Sequence, residues 1–166
     1  MKTGLKSVAY HEAGHAVMNM IANCEFECVS IYPMAGGALY GTEVCGIYLL
    51  IMLYLSGKIA EDALCQGEST PNFDNTEPDT DFHYLMKMIM AFCHTMKEGV
   101  LFYKWCHARA AFLLSIHWPA VEGIAAELLK KYTITYEEAL KIFNEAPKKH
   151  QKPKLTAEWK KPVIAP

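Results

Sequence analysis

The sequence predicts a mainly α-helical domain of the α+β class that includes one small β-hairpin. Apolar residues recur at helical spacing along most of the 166 residues, whereas strand-like patterning is confined to residues 28–44. With 52% hydrophobic and 20% charged residues, the chain is long and apolar enough to bury a sizeable core. We therefore expect one domain over residues 1–146, followed by an extension over residues 147–166.

In the first half of the chain, a helix, a hairpin and a second helix are predicted over residues 4–22, 28–44 and 47–64. Within the hairpin, residues 28–32 are typical of a strand, Gly36-Gly37 supplies a turn, and residues 39–44 can return as a second strand. The second helix is strongly apolar, and its Gly57 would permit close packing against another helix. Most of this helix should be buried.

In the second half, an acidic loop and four helices are predicted over residues 66–80, 81–98, 100–116, 119–131 and 136–144. Gly99 marks the boundary between the first two of these helices. Pro119 suits the first turn of the third helix, where its missing N–H is not needed. Thr135 precedes the last helix as its N-cap, and Glu138, three residues later, completes a capping box.

Neither a membrane protein nor a secreted protein is predicted. The longest apolar run, residues 47–55, is about half the length needed to cross a bilayer, and no basic and apolar leader opens the sequence. Six cysteines occur without a CxxC pair, at positions 24, 28, 45, 65, 93 and 106. We interpret all six as reduced core thiols, which favours a cytoplasmic setting.

Charge is unevenly distributed between the domain and the extension. Residues 1–146 carry 10 basic and 17 acidic side chains, whereas residues 147–166 carry six lysines against one acidic residue, Glu158. The extension also contains four prolines, which prevent it from continuing a helix or burying much surface. We interpret it as a solvated, flexible extension rather than as a contact for nucleic acid or another anionic surface.

The segment His11-Glu12-Ala13-Gly14-His15 contains the pattern HExxH. Histidines at this spacing lie one turn apart on one face of a helix, where both imidazoles can hold the same metal ion. A Glu between them can deprotonate a metal-bound water, so the pattern is typical of zinc hydrolases. The alternative is a helix whose histidines merely face the core or solvent, but burying these groups without partners would cost several kcal/mol.

A catalytic zinc needs a third protein ligand. Three candidates lie where the acidic loop meets the next helix, namely Asp79, Asp81 and His83. The remaining histidines are further possible donors: His94, His107, His117 and His150. A carboxylate at this exposed junction can reach another helix, although an Asp there can equally serve as an N-terminal cap or as a partner of the helix dipole.

Several segments resemble the peptidase domain of the FtsH-type ATP-dependent zinc metalloproteases, in the same order along the chain. Val8–Val17 is similar to the family's metal-binding helix, and Val29–Pro33 is similar to its strand. Leu55–Glu61 is similar to its second motif, and Asp81 falls where its third ligand is expected. The two closing helices also look alike, so the resemblance covers about residues 5–145.

The resemblance implies a helical, zincin-like fold in which His11, His15 and Asp81 bind Zn²⁺ and Glu12 is the catalytic base. Glu61 is our candidate for orienting a ligand imidazole, with an ordinary exposed helix acid as the alternative. The edge of the hairpin could bind an extended peptide.

Two departures from the family bear on function. The sequence contains no GxxxxGK[ST] loop, so no ATPase module is expected, and it lacks the family's membrane segments. We therefore predict an ATP-independent zinc metallopeptidase that acts on unfolded or short peptides, with a separate ATPase or adaptor chain and self-association as open questions. The alternatives are an inactive binding or adaptor module of the same fold and a metal-stabilised structural domain.

Overall fold

The structure is a computed structural model that describes residues 2–32, 46–64 and 80–148. These ranges contain six helices: α1 (Lys2–Ile21), α2 (Ile47–Leu64), α3 (Thr80–Phe92), α4 (Met96–Ile116), α5 (Trp118–Lys131) and α6 (Tyr136–Glu145). They also contain two short strands, β1 (Cys28–Ser30) and β2 (Thr133–Thr135). The predicted mainly helical architecture with a small β component is confirmed.

Helix α1 lies at the centre of the domain and packs against both α2 and α5. Its small residues Ala9, Ala13 and Ala16 are completely buried. Small side chains let helix backbones approach closely, and a Cβ atom at Gly14 would overlap the carbonyl oxygen of Ser56 on α2. The helix that carries the HExxH pattern is therefore held firmly at the centre of the core.

The two strands form an antiparallel sheet that joins distant parts of the chain. Val29 pairs with Ile134, and both side chains are buried. The predicted strand at residues 28–32 is confirmed over Cys28–Ser30, whereas its predicted return strand at residues 39–44 lies outside the described residues. Strand β2 was not predicted, because three residues between a helix C-terminus and a capping Thr give almost no periodicity.

The predicted boundary between the helices of the second half is wrong. Helix α3 ends at Phe92, and α4 begins at Met96 and continues through Gly99. Thr95 is the N-cap of α4: its hydroxyl accepts from the N–H of Glu98 at 3.1 Å, and the Glu98 carboxylate accepts from the N–H of His94 at 2.8 Å. The spacing Thr-x-x-Glu is a helix-start signature, and it marks this boundary more reliably than the glycine does.

The last two helices match their predictions closely. Pro119 lies in the first turn of α5. Thr135 and Glu138 form the expected capping box at α6, in which each side chain accepts from the other residue's backbone N–H, at 3.3 and 3.0 Å. Residues 65–79, which include most of the acidic loop, and the extension from residue 149 onward lie outside the described residues.

The prediction that all six cysteines are reduced is wrong for Cys24, which is disulfide-bonded. Cys28, Cys93 and Cys106 carry free thiols. Because reduced thiols were a premise of the cytoplasmic setting, that prediction loses one of its supports. Within the described ranges no single helix is long and apolar enough to span a membrane, although α4 and α5, which meet at 77°, pass that test as a bent pair by length and composition.

Candidate metal centre

The structure brings His11, His15 and Asp81 together. The two histidines lie one turn apart on α1, and Asp81 lies in the first turn of α3. Their Nε2 atoms are 3.0 Å apart, and Asp81 Oδ2 lies 2.9 Å from Nε2 of His15 and 3.3 Å from Nε2 of His11. In the part of the chain that is described, this is the group of side chains that can jointly hold a metal ion.

Helix α2 orients the imidazole of His15 through the ring nitrogen that faces away from the cluster. Its Nδ1 lies 2.9 Å from the carbonyl oxygen of Leu53, an acceptor, so Nδ1 carries the proton and donates it. The hydroxyl of Ser56 donates to the same carbonyl at 2.6 Å. His15 is 2% exposed, so its ring is fixed in orientation. With Nδ1 held in this way, Nε2 is the ring nitrogen that faces the cluster, as in metal sites where an outer partner fixes the ligand ring.

Glu61 occupies the matching position behind His11. Its Oε2 lies 3.6 Å from Nδ1 of His11, on the opposite side of the ring from the cluster. The hydroxyl of Ser7 donates to Oε1 at 2.6 Å, and the ammonium of Lys58 lies 3.7 Å from Oε2. Burial tends to raise the pKa of Glu61, but Ser7, Lys58 and His11 together lower it, so the carboxylate is ionised. Glu61 thus lies beside one of the candidate ligand imidazoles, and its role in orienting that ring stays a prediction.

Electrostatics at the cluster favour positive charge. Burial tends to raise the pKa of Asp81, but hydrogen bonds from His11 and His15 and their charge hold it well below its usual range. Burial tends to lower the pKa of His11, but Asp81, Glu12 and Glu61 outweigh burial and raise it. The negative surroundings that raise the pKa of His11 also favour a metal cation, which would take the place of the proton on that imidazole.

The donor set fits zinc. Two imidazole nitrogens and one carboxylate oxygen are ligands that Zn²⁺ commonly takes in catalytic sites. Bonds of about 2.0–2.2 Å to a tetrahedral zinc place its ligand atoms roughly 3.3–3.6 Å apart. The observed separations of 2.9–3.3 Å are slightly shorter, so small side-chain movements would admit the ion.

Gly57 of α2 lies directly against the ligand nitrogens. A Cβ atom at this position would overlap Nε2 of His15 and would lie 2.6 Å from Nε2 of His11. The close helix packing predicted at Gly57 is confirmed, and its reason is specific: only a residue without a side chain leaves the space beside the two imidazoles free.

The other predicted donors that the structure describes are not in the cluster. His83 and His94 are exposed, and His94 lies near Glu98 instead. His107 stacks on Tyr103, and His117 stacks on Phe143 with ring centroids 4.9 Å apart. Asp79 and His150 lie outside the described residues.

Glu12 is half-buried on α1 between the two histidines, and its charge contributes to the raised pKa of His11. Sequence analysis missed three groups that support the ligands. Ser7 precedes His11 by one helical turn, so the spacing places it on the same helix face, but its contact with Glu61 depends on the packing of α2. The carbonyl of Leu53 and the hydroxyl of Ser56 carry no comparable signal, because they follow from how α2 packs.

No family profile matches this chain, and no curated protein is significantly similar to it.

Asp81→Ala is expected to weaken zinc binding by more than about 100-fold, because removing even an outer partner of a zinc ligand costs 10- to 100-fold. Competition against a chromogenic chelator at pH 7 measures the affinity, and elemental analysis measures the zinc content. Asp79→Ala is the matched control and should bind zinc like the wild type. If Asp79→Ala were the damaging change instead, Asp81 would not be the third ligand.

Proposed function

We propose that this protein is a zinc-dependent, ATP-independent metallopeptidase that resembles the FtsH-type peptidase domain and hydrolyses unfolded or short peptides. The observation that carries the proposal is the cluster of His11, His15 and Asp81, with Glu12 on the same helical turn. Three protein ligands leave a tetrahedral ion one open position, as in catalytic zinc sites, whereas structural zinc sites are closed by four.

Bound zinc would supply Lewis-acid activation of a water molecule and of the peptide carbonyl. Glu12 lies next to His11 on α1, and we assign the proton transfers to it. Its carboxylate accepts a proton from the attacking water and then passes that proton to the leaving amine, so one residue acts first as base and then as acid.

The remaining residues orient the ligands. Leu53 fixes the ring of His15 through its carbonyl oxygen, at 2.9 Å from Nδ1. The ionised carboxylate of Glu61 lies 3.6 Å from Nδ1 of His11, and the hydroxyl of Ser7 donates to that carboxylate at 2.6 Å. Such outer partners set the tautomer and basicity of ligand imidazoles.

An inactive binding or adaptor module is the competing proposal. It would share the cluster but would not need a carboxylate at position 12. The intact Glu12 favours the enzyme. A partner ATPase or adaptor, self-association and a cytoplasmic setting remain predictions.

Hydrolysis of a casein-like unstructured protein is expected, with complete inhibition by a zinc chelator and no effect of added ATP. A stable globular domain should be attacked far more slowly, because its folding free energy of roughly 5–15 kcal/mol keeps extended segments rarely available. Rates on the folded and denatured forms of one protein provide the comparison. Equal rates on both forms would contradict the restriction to unfolded substrates. Complete inactivity with zinc bound would favour the binding module.

A further inference from the structure

Next to the cluster of His11, His15 and Asp81, α2 and α3 each contribute a tyrosine, and the two rings stack. The ring centroids of Tyr54 and Tyr84 are 6.0 Å apart, with planes inclined by 25°. Tyr54 is half-buried, whereas Tyr84 is 54% exposed. The pair therefore combines a packed inner ring with an outer ring that has open surface.

Helical spacing places both rings beside the cluster. Tyr84 follows Asp81 by three residues on α3, so the two share a helix face one turn apart. Tyr54 precedes Gly57 by three residues on α2, and Gly57 lies against both ligand nitrogens. One turn of helix rises about 5.4 Å, which is the length of one or two residues of an extended peptide. A peptide across the metal centre would bring a neighbouring side chain to this pair.

We propose that Tyr54 and Tyr84 form a wall that binds one substrate side chain next to the scissile bond, and that this wall selects aromatic side chains. That this side chain lies next to a scissile bond rests on the peptidase function proposed above. Contact between two aromatic rings stabilises a complex by more than the burial of apolar area alone, and the additional attraction corresponds to about a 2- to 10-fold increase in affinity. The ammonium of Lys87 lies 6.0 Å from the centroid of the Tyr84 ring, so a substrate Lys or Arg should be disfavoured there by repulsion.

Binding can be measured separately from hydrolysis by using the zinc-loaded Glu12→Gln protein, which is expected to hold peptides without cleaving them. Unstructured peptides that are identical except for one central residue, Phe, Leu, Ala or Lys, are titrated against it. We expect the Phe peptide to bind about 2- to 10-fold more tightly than the Leu peptide, and the Lys peptide to bind no better than the Ala peptide.

The same titrations with second-site variants locate the preference. Tyr84→Ala should abolish it, and Tyr84→Phe should keep it, because stacking needs the ring and not the hydroxyl. Tyr84→Leu fills the space without an aromatic ring and should also abolish the preference. It therefore provides the test even if the Ala variant fails to fold. Tyr48→Ala is the matched control: Tyr48 is 46% exposed on the same α2 helix, but its ring lies against Trp105.

With Glu12 restored, cleavage sites mapped in an unstructured protein should be enriched in aromatic residues beside the cut bond, and Tyr84→Ala should remove that enrichment. Equal binding of the Phe and Leu peptides, or an aromatic preference that survives in both Tyr84→Ala and Tyr84→Leu, would overturn the proposed wall. An aromatic preference that depends on Tyr84 in a protein that hydrolyses nothing would support the wall and overturn the peptidase function. The two failures are therefore distinguishable.

Discussion

Glu12→Gln is expected to leave zinc binding and the fold intact while hydrolysis of an unstructured protein falls by about 10²- to 10⁴-fold. The amide has nearly the size and shape of the carboxylate but cannot accept a proton from water at neutral pH. Glu12 is not one of the three clustered donors, so the ion should be retained at one equivalent per chain. Initial rates, zinc content and the thermal midpoint, measured on the same preparation, test each part.

Glu25→Gln is the matched control for this change, since Glu25 is exposed and lies beyond the end of α1. It should hydrolyse like the wild type. Retained turnover in Glu12→Gln would remove Glu12 as the base. Loss of zinc together with activity would mean that Glu12 supports the metal site rather than the reaction.

Gly57→Ala is expected to weaken zinc binding by about 10- to 100-fold or more and to reduce hydrolysis in parallel, because the new methyl group would occupy the space beside both ligand nitrogens. Ala has a higher helix propensity than Gly by about 1 kcal/mol, but overpacking a filled site costs about 1–3 kcal/mol. The clash should therefore outweigh the gain, and the free energy of unfolding should fall slightly. Chelator competition and denaturant titration measure the two effects.

Gly4→Ala makes the same chemical change where no atom lies within 4 Å of the added Cβ. It should leave zinc affinity unchanged and should not destabilise the protein. Wild-type zinc affinity in Gly57→Ala would show that the ligand nitrogens do not need this space, and the close contact of α2 with the site would lose its significance.

The parts of the candidate site that follow a local rule could be predicted from the sequence. The spacing of His11 and His15 alone indicates a shared face of one helix. The third donor could not be derived in this way, because Asp81 is 66 residues from His15 and only folding brings the two together. Spacing alone does not distinguish Asp81 from Asp79 and several histidines as the third ligand, whereas the family resemblance indicates Asp81.

The fold shows the same division between local and long-range rules. The capping box of Thr135 and Glu138 is a local signal, and α6 begins where it predicts. The equivalent signature at Thr95 and Glu98 marks the start of α4, whereas Gly99 lies inside that helix and marks no boundary. Strand β2 is too short to have a pattern of its own and exists because β1 is there to pair with it.

The pairing of β1 with β2 has a consequence for the order in which the domain folds. The hydroxyls of Ser30 and Thr133, 2.7 Å apart in the sheet, are 103 residues apart in the chain. Contacts of such long sequence separation form late, because the entropy of closing a large loop must be overcome first. During synthesis from the N-terminus, α1, α2 and Asp81 all leave the ribosome well before β2. The proposed metal ligands are thus all made before the contact that closes the domain, and until β2 arrives, β1 lacks the strand with which it pairs.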